Sequence, residues 1–245
     1  MKKVTQKYIC LLVAFIACAA LLAACKSAPS SSAGSSSFAG MAPSVAPVEE
    51  TKPLYQSPID FFELINKNVD ISGWITVDGT NIDYPVTRTS DNIFYLTHDS
   101  YRNPFAGGGL FIDMANRPDF ADPVTVIYGH VMPDDTIFSQ LHLYSDLAFF
   151  EANQQVVVYT PSNMLTYKIF AAFPHDTSNF LYQKDYAKTQ QRQELLDYIE
   201  TKKENANVFL EQVTAEDQFL LLSTCAEEGQ SRYIVAAWLA EKAVE

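Results

Sequence analysis

Few side chains in this chain can carry covalent chemistry: four cysteines, four histidines and five arginines, and three of these residues mark the ends of apolar runs. Cys225 closes Phe219-Leu220-Leu221-Leu222-Ser223-Thr224-Cys225, a run with the character of a strand. By the two-residue period of a strand it shares a face with Ser223, and a thiol at the rim of a sheet is reachable. Such a thiol can serve as a nucleophile. His130 closes Val124-Thr125-Val126-Ile127-Tyr128-Gly129-His130, where Gly129 lets the chain turn sharply before an imidazole suited to acid or base work. Arg232 opens Arg232-Tyr233-Ile234-Val235 a short loop after Cys225. If those two runs pair, its guanidinium comes beside the thiol, where it favours the thiolate or binds an oxyanion. Taken one at a time, the same residues also fit a buried cysteine without a role, a turn histidine and a surface arginine. His98, His142 and His175 lack the strand-end setting and read as structural or surface residues, and Asp134-Asp135 and Glu227-Glu228 read as solvated loops. A Walker lysine loop, a His-Glu-x-x-His and a Cys-x-x-Cys are all missing, so no metal and no cofactor is expected.

The elements that must place these residues are mainly strands. Trp74-Ile75-Thr76-Val77 and Asn81 to Val86 flank an Asp78-Gly79 pair, a strong signal for a tight hairpin. Leu110 to Asp113, Val124 to Tyr128, Val156 to Thr160, Leu165 to Phe173, Phe219 to Leu222 and Tyr233 to Leu239 follow, with turn residues between them. About eight short strands so spaced predict a closed antiparallel barrel or a sandwich. Two helices accompany them. The first opens with Ser57 as a hydroxyl cap, Pro58 in the first turn, and Phe61, Phe62, Leu64 and Ile65 behind. The second runs from about Thr189 to Lys203, with Leu195, Tyr198 and Ile199 at helical spacing, before the Cys225 strand.

The N-terminus has a different composition. Lys2, Lys3 and Lys7 precede an uncharged run from Tyr8 to Ala24, the pattern of an export signal or a membrane anchor. Leu22-Ala23-Ala24-Cys25 has the shape of a lipobox, which would place a diacylglycerol on Cys25; an uncleaved spanning helix is the other reading. Either tethers the domain to the outer face of a membrane. From Lys26 to Pro53, 19 of 28 residues are Ser, Ala, Pro or Gly, too few large apolar groups to offset chain entropy. The expected organisation is therefore residues 1–25 as signal or anchor, 26–53 as a flexible linker and 54–245 as one globular unit. That unit holds one cysteine, so no disulfide can form within it. Without the three lysines of the leader, 14 basic face 29 acidic residues, a formal charge of −15 that argues against a phosphate backbone as partner: no nucleic acid is expected.

Taken together, the motifs resemble those of the sortases, and of class B in particular, from about Phe61 to Leu239. Leu222-Ser223-Thr224-Cys225 is similar to the family's Leu-x-Thr-Cys motif with an Arg shortly after, and Tyr128-Gly129-His130 to its strand-end His. Val131 to Phe138, Asn68 to Ile75, Ile82 to Val86 and Asp91 to Leu96 have class B character. The resemblance implies an eight-stranded β-barrel with an N-terminal helix and a helix before the Cys-bearing strand. It implies catalytic roles for Cys225 as nucleophile, His130 as general acid and Arg232 as the holder of substrate or oxyanion. Ser223, Thr224 and Asn92 would contribute to substrate binding, and the segment between Phe173 and Gln183, with Phe180 and Tyr182, would cover the groove. The implied reaction cleaves a C-terminal sorting signal, LPxTG- or NPxTN-like, after Thr, and passes the acyl group to an amine of a peptidoglycan precursor or a pilin. The competing readings are a cysteine peptidase that gives the same acyl-enzyme to water, and a surface lipoprotein that binds peptide without catalysis. A papain-like order places the Cys before the His, opposite to this chain, and the caspase Gln-Ala-Cys-x-Gly is absent.

Overall fold

The computed structural model describes residues 55–176, 184–224 and 231–244. Cys25, Cys225, Phe180, Tyr182, Glu227 and Glu228 lie outside the described residues, as do the leader and the linker. The first helix, α1 (Phe61–Lys67), starts later than the sequence suggests: its cap is Asp60, whose carboxylate accepts the Glu63 N–H at 2.9 Å. Ser57 instead accepts the Ile59 N–H in the turn before it. A carboxylate at the N-cap also meets the positive end of the helix dipole with a full charge, which a hydroxyl does not.

Strand β1 (Ile71–Val77) alternates buried and half-buried residues, the mark of a sheet with one face in the core. It turns through Gly79, at φ +70°, into β2 (Asp83–Thr87), so a hairpin forms where the Asp78-Gly79 pair suggests one, but through the four residues 78–81, closed by the Val77 N–H donating to the Ile82 carbonyl at 3.1 Å, and not through a tight two-residue turn. Then come β3 (Leu110–Ile112), β4 (Val124–Gly129), helix α2 (Leu147–Ala152), β5 (Gln155–Tyr159), β6 (Asn163–His175), helix α3 (Thr189–Glu200), β7 (Asn207–Val208), β8 (Phe219–Thr224) and β9 (Arg232–Val244). The sheet runs β5-β1-β2-β3-β4-β8-β9-β6, and β6 pairs back to β5, which closes an eight-stranded barrel; the two-residue β7 hangs on β6. Closure is as expected, but the barrel is not antiparallel throughout: β2 pairs with β3, and β4 with β8, in parallel. Both joints require crossovers, and the second of them carries α2 and α3 among other segments. Helix α2, at six residues, is too short to show a period in the sequence.

Two apolar layers hold the barrel. Inside it pack Ile75, Val86, Ile112, Ile127, Val158, Tyr167, Leu222 and Val235, all fully buried. Outside it, Leu195, Leu196 and Ile199 of α3 cover Phe170, Phe173, Phe219 and Ala236. Burying each large aliphatic residue there stabilises the fold by about 1.5–3 kcal/mol. Every residue of β4 and β8 is buried, so these two strands form the double-covered centre that their unbroken apolar runs predict. Among the described residues, no helix is long and apolar enough to cross a membrane.

Candidate active site

The parallel pairing of β4 and β8 sets Tyr128 opposite Ser223 and Gly129 opposite Thr224. These are the residues that precede His130 and Cys225 in the chain, so the two apolar runs singled out in the sequence end side by side at one rim. Strand β9 starts there too: β8 and β9 pair antiparallel up to Ser223 and Ile234, and the Thr224 hydroxyl accepts the Tyr233 N–H at 2.7 Å, extending the ladder by one step. Arg232 then reaches back, and its Nη1 donates to the Thr224 carbonyl at 3.4 Å.

His130 is half-buried, and its Nε2 lies 2.9 Å from the Leu96 carbonyl oxygen. A carbonyl only accepts, so Nε2 carries the hydrogen and donates it. The other nitrogen, Nδ1, is therefore the one that can take or give a proton in chemistry. Position is enforced from two sides. Before His130, a Cβ on Gly129 would lie 2.7 and 2.8 Å from atoms of the Phe138 ring, so only glycine lets the strand pass under that ring. Beside it, Gly108 sits at φ +61° against the backbone of Tyr95 and Leu96 and the imidazole itself.

Leu96 closes a 3₁₀ turn, Phe94–Leu96, at the end of which carbonyls are left without a partner in the turn. The start of that turn is held by Asp91, which accepts the N–H groups of Ile93 and Phe94 at 2.8 Å each. Those bonds, Phe94's foremost, hold the Asp91 carboxyl below the usual carboxylate range. Tyr95, in the middle of the turn, accepts a hydrogen bond from Asn68 and donates one to Asp70. Burial, with smaller opposing effects from Asn68 and Asp70, pushes its phenol up to about 12.

Arg232 is half-buried, with its guanidinium carbon 5.9 Å from the centre of the Tyr128 ring, within reach of a cation–π attraction. Across the β6–β9 ladder it faces His175, a fully buried residue whose Nδ1 lies 2.7 Å from the Tyr198 hydroxyl. Of the two settings the sequence suggests for it, structural or surface, burial excludes the surface. His98, stacked on Phe94 at 4.1 Å, packs against the 3₁₀ turn from just beyond its end, and His142 is exposed. Asp134 and Asp135 are exposed, in keeping with a solvated loop.

Ser223 and Thr224 are buried, at 0% and 3% exposure, so their side chains face neighbouring strands and not open solvent. Asn92 is half-buried and committed at both ends: its Nδ2 donates to Asp113 at 3.1 Å and its Oδ1 accepts the Met114 N–H at 2.7 Å. Sequence reasoning does not single out Leu96, Gly108, Tyr128 or Asp113 as parts of the site. Tyr128 and Asp113 stand in strand runs already noted, whereas a backbone carbonyl has no letter of its own. Among the described residues, no group of three His, Cys, Asp or Glu side chains could hold a metal ion.

A sortase-domain profile matches residues 75–240. Sortase B of Listeria monocytogenes is 31% identical over 167 residues, covering 68% of this chain and 67% of that protein. Sortase B of Staphylococcus aureus is 31% identical over 192 residues, covering 77% and 75%. Among solved structures, a Staphylococcus aureus sortase B–substrate complex superposes with a TM-score of 0.67 at 28% identity, covering 74% of this chain and 84% of that one. A sortase B complexed with triglycine does so with a TM-score of 0.67 at 29% identity, covering 74% and 85%. The rim that gathers the ends of β4 and β8 and the start of β9, the closed eight-stranded barrel behind it and these matches agree: the chain belongs to the sortase family of cysteine transpeptidases, in its class B.

Proposed function

We propose that this class B chain cleaves a C-terminal sorting signal of LPxTG or NPxTN type after Thr, and joins the new carboxyl end to an amine. The observation that carries the reading is the shared rim: Gly129 faces Thr224, one residue before His130 and Cys225, and Arg232 is bonded to Thr224. Cys225 first passes its thiol proton to His130 Nδ1, and the thiolate so formed attacks the Thr carbonyl carbon, forming the C–S bond while the carbonyl electron pair moves to oxygen. Arg232 donates hydrogen bonds to that oxyanion. The oxyanion then collapses, the C–N bond breaks, and His130 gives the proton on Nδ1 to the departing amine. An acceptor amine attacks the thioester and gives its proton back to Nδ1 as the thiolate leaves. The Leu96 carbonyl keeps Nδ1, not Nε2, available for both transfers.

The relatives solved with a substrate and with triglycine support a peptide donor and a glycine-type amine acceptor, drawn from a peptidoglycan precursor or a pilin. The apolar leader supports a location at the outer face of the cell membrane, held by a lipidated Cys25 or an uncleaved spanning segment, with residues 26–53 as tether and 54–245 as catalytic unit. Asn92, Ser223 and Thr224 shape the signal-binding side of the rim, the latter two through the strand ladder they complete. The test is turnover of a sorting-signal peptide with an amine acceptor. Cys225→Ala and His130→Ala abolish it, and Arg232→Ala nearly does while the fold persists; wild-type rates in any one of them contradict the role assigned to that residue.

A further inference from the structure

Asp113, one residue past the end of β3, is joined to the site by contacts that the steps above do not use. Its Oδ2 accepts the Tyr128 hydroxyl proton at 2.7 Å and the Asn92 amide at 3.1 Å, and its Oδ1 accepts the Ala115 N–H at 2.8 Å. Its own N–H donates to the Val126 carbonyl at 2.9 Å, fastening its backbone to β4, the strand that carries Tyr128 and leads to His130. Tyr128 is 7% exposed, and its ring packs on Phe111 with ring centres 5.3 Å apart. With one side packed and its hydroxyl fixed, the ring has little freedom left, and the Arg232 guanidinium stands near it. A carboxylate that takes the phenolic hydrogen bond also enriches the ring in electron density, which strengthens its hold on a cation.

We propose that Asp113 is a positioning residue for the transpeptidation: by anchoring the Tyr128 hydroxyl it sets the ring beside Arg232, and so fixes where the oxyanion-binding cation stands. The inference rests on the role given to Arg232 above. A purely structural Asp113 would close the turn after β3 through its bond to Ala115 and act independently of Arg232. The two possibilities differ in energetic coupling, which a double-mutant cycle reads.

The experiment uses the full-length chain in detergent, LPxTG- and NPxTN-type peptides and triglycine, and measures kcat and KM for wild type, Asp113→Asn, Arg232→Lys and the double variant. Loss of aim at a group that acts in the transition state falls on kcat more than KM. Asp113→Asn is expected to lower kcat/KM about tenfold in the wild-type background, the scale of one charge-assisted hydrogen bond. In the Arg232→Lys background, where the planar fork is already gone, it is expected to cost less than about twofold. An equal loss in both backgrounds, or no loss in the first, overturns the proposal. If Asp113→Asn does not fold, Tyr128→Phe takes its place, because it keeps the ring and removes only the hydroxyl. Its loss should likewise vanish beside Arg232→Lys, and equal losses in the two backgrounds overturn the proposal. A wild type that turns over no peptide of either type removes the function itself, an outcome distinct from any result on Asp113.

Discussion

Two adjacent glycines, Gly107 and Gly108, give a sharp test of how the imidazole is held. An alanine Cβ at Gly108 would lie 3.0 Å from the Leu96 oxygen and 3.1 Å from His130 Cδ2, and closer still to the Tyr95 oxygen. Its φ of +61° is also a conformation that L side chains resist. The left-handed backbone costs alanine about 1 kcal/mol relative to glycine, and forcing a methyl into a filled space about 1–3 kcal/mol more. The atoms in the way are backbone carbonyls already in use, since Tyr95 O accepts the Gly109 N–H and Leu96 O accepts from His130. Gly108→Ala should therefore destabilise the fold by about 2–4 kcal/mol, or about 5–15 °C in Tm for a domain of this size. The displaced carbonyl also loosens the imidazole, and a misplacement on the order of 1 Å costs up to about a hundredfold in rate, so kcat/KM should fall at least about tenfold. At Gly107 the same methyl meets the end of the Phe105 ring at 2.6 and 2.8 Å and the Met132 methyl at 3.2 Å. Phe105 is 43% exposed and its ring can swing outward, so Gly107→Ala should cost less than about 1 kcal/mol and leave turnover near wild type. Calorimetry and a peptide–triglycine assay on both variants read the contrast. Wild-type Tm and turnover in Gly108→Ala, or equal damage from Gly107→Ala, would refute the account of how His130 is positioned.

The Asp91 carboxyl, depressed by the N–H groups of Phe94 and Ile93, adds stability above the ordinary carboxylate range that is lost as pH falls through its own lower value. Asp91→Ala should therefore be less stable than wild type near neutrality, with the gap closing in acid; a gap that does not change with pH contradicts this. Burial pushes the Tyr233 phenol up to about 12, as it does Tyr95. Their contribution is intact below an ordinary tyrosine value of about 10 and declines as pH rises through about 12. Ultraviolet absorbance of the phenolate should show these two phenols ionising late, with unfolding, and early ionisation in the native state would be inconsistent with their burial. Arg192, 6% exposed on α3, donates to the carbonyls of Tyr186, Ala187 and Ala215, to Thr189 Oγ1 and to Glu216. Arg192→Leu strands those carbonyls and should cost about 3–5 kcal/mol in urea unfolding; a loss under about 1 kcal/mol would show that water replaces the guanidinium freely.

What the sequence discloses and what it conceals follow from physical range. The hairpin between β1 and β2, the strands β4 and β8 and the start of α3 depend on neighbours within a few residues, and all are legible. The helix cap is not, because two cap-like residues, Ser57 and Asp60, stand close together and the local sequence suits either. Parallel pairing at two of the barrel joints depends on how long crossovers wind, which no local pattern records. At the site, the strand-end positions of His130 and Arg232 can be inferred because each follows or opens an apolar run. The Leu96 carbonyl and the link from Asp113 through Tyr128 to Arg232 cannot, since they are contacts between segments far apart in the chain, 34 residues in the case of Leu96 and His130.

The central claim, a thioester on Cys225 that is passed to an amine, is tested most directly by intact-protein mass spectrometry. The chain and its Cys225→Ala variant are incubated with a panel of sorting-signal peptides, with and without triglycine. The account predicts an acyl adduct on the wild type alone, cut after Thr, that disappears on addition of triglycine as a peptide–glycine conjugate forms. Hydrolysed peptide with no conjugate would assign the chain to peptide hydrolysis, and the absence of any adduct across the panel would contradict catalysis by Cys225 altogether.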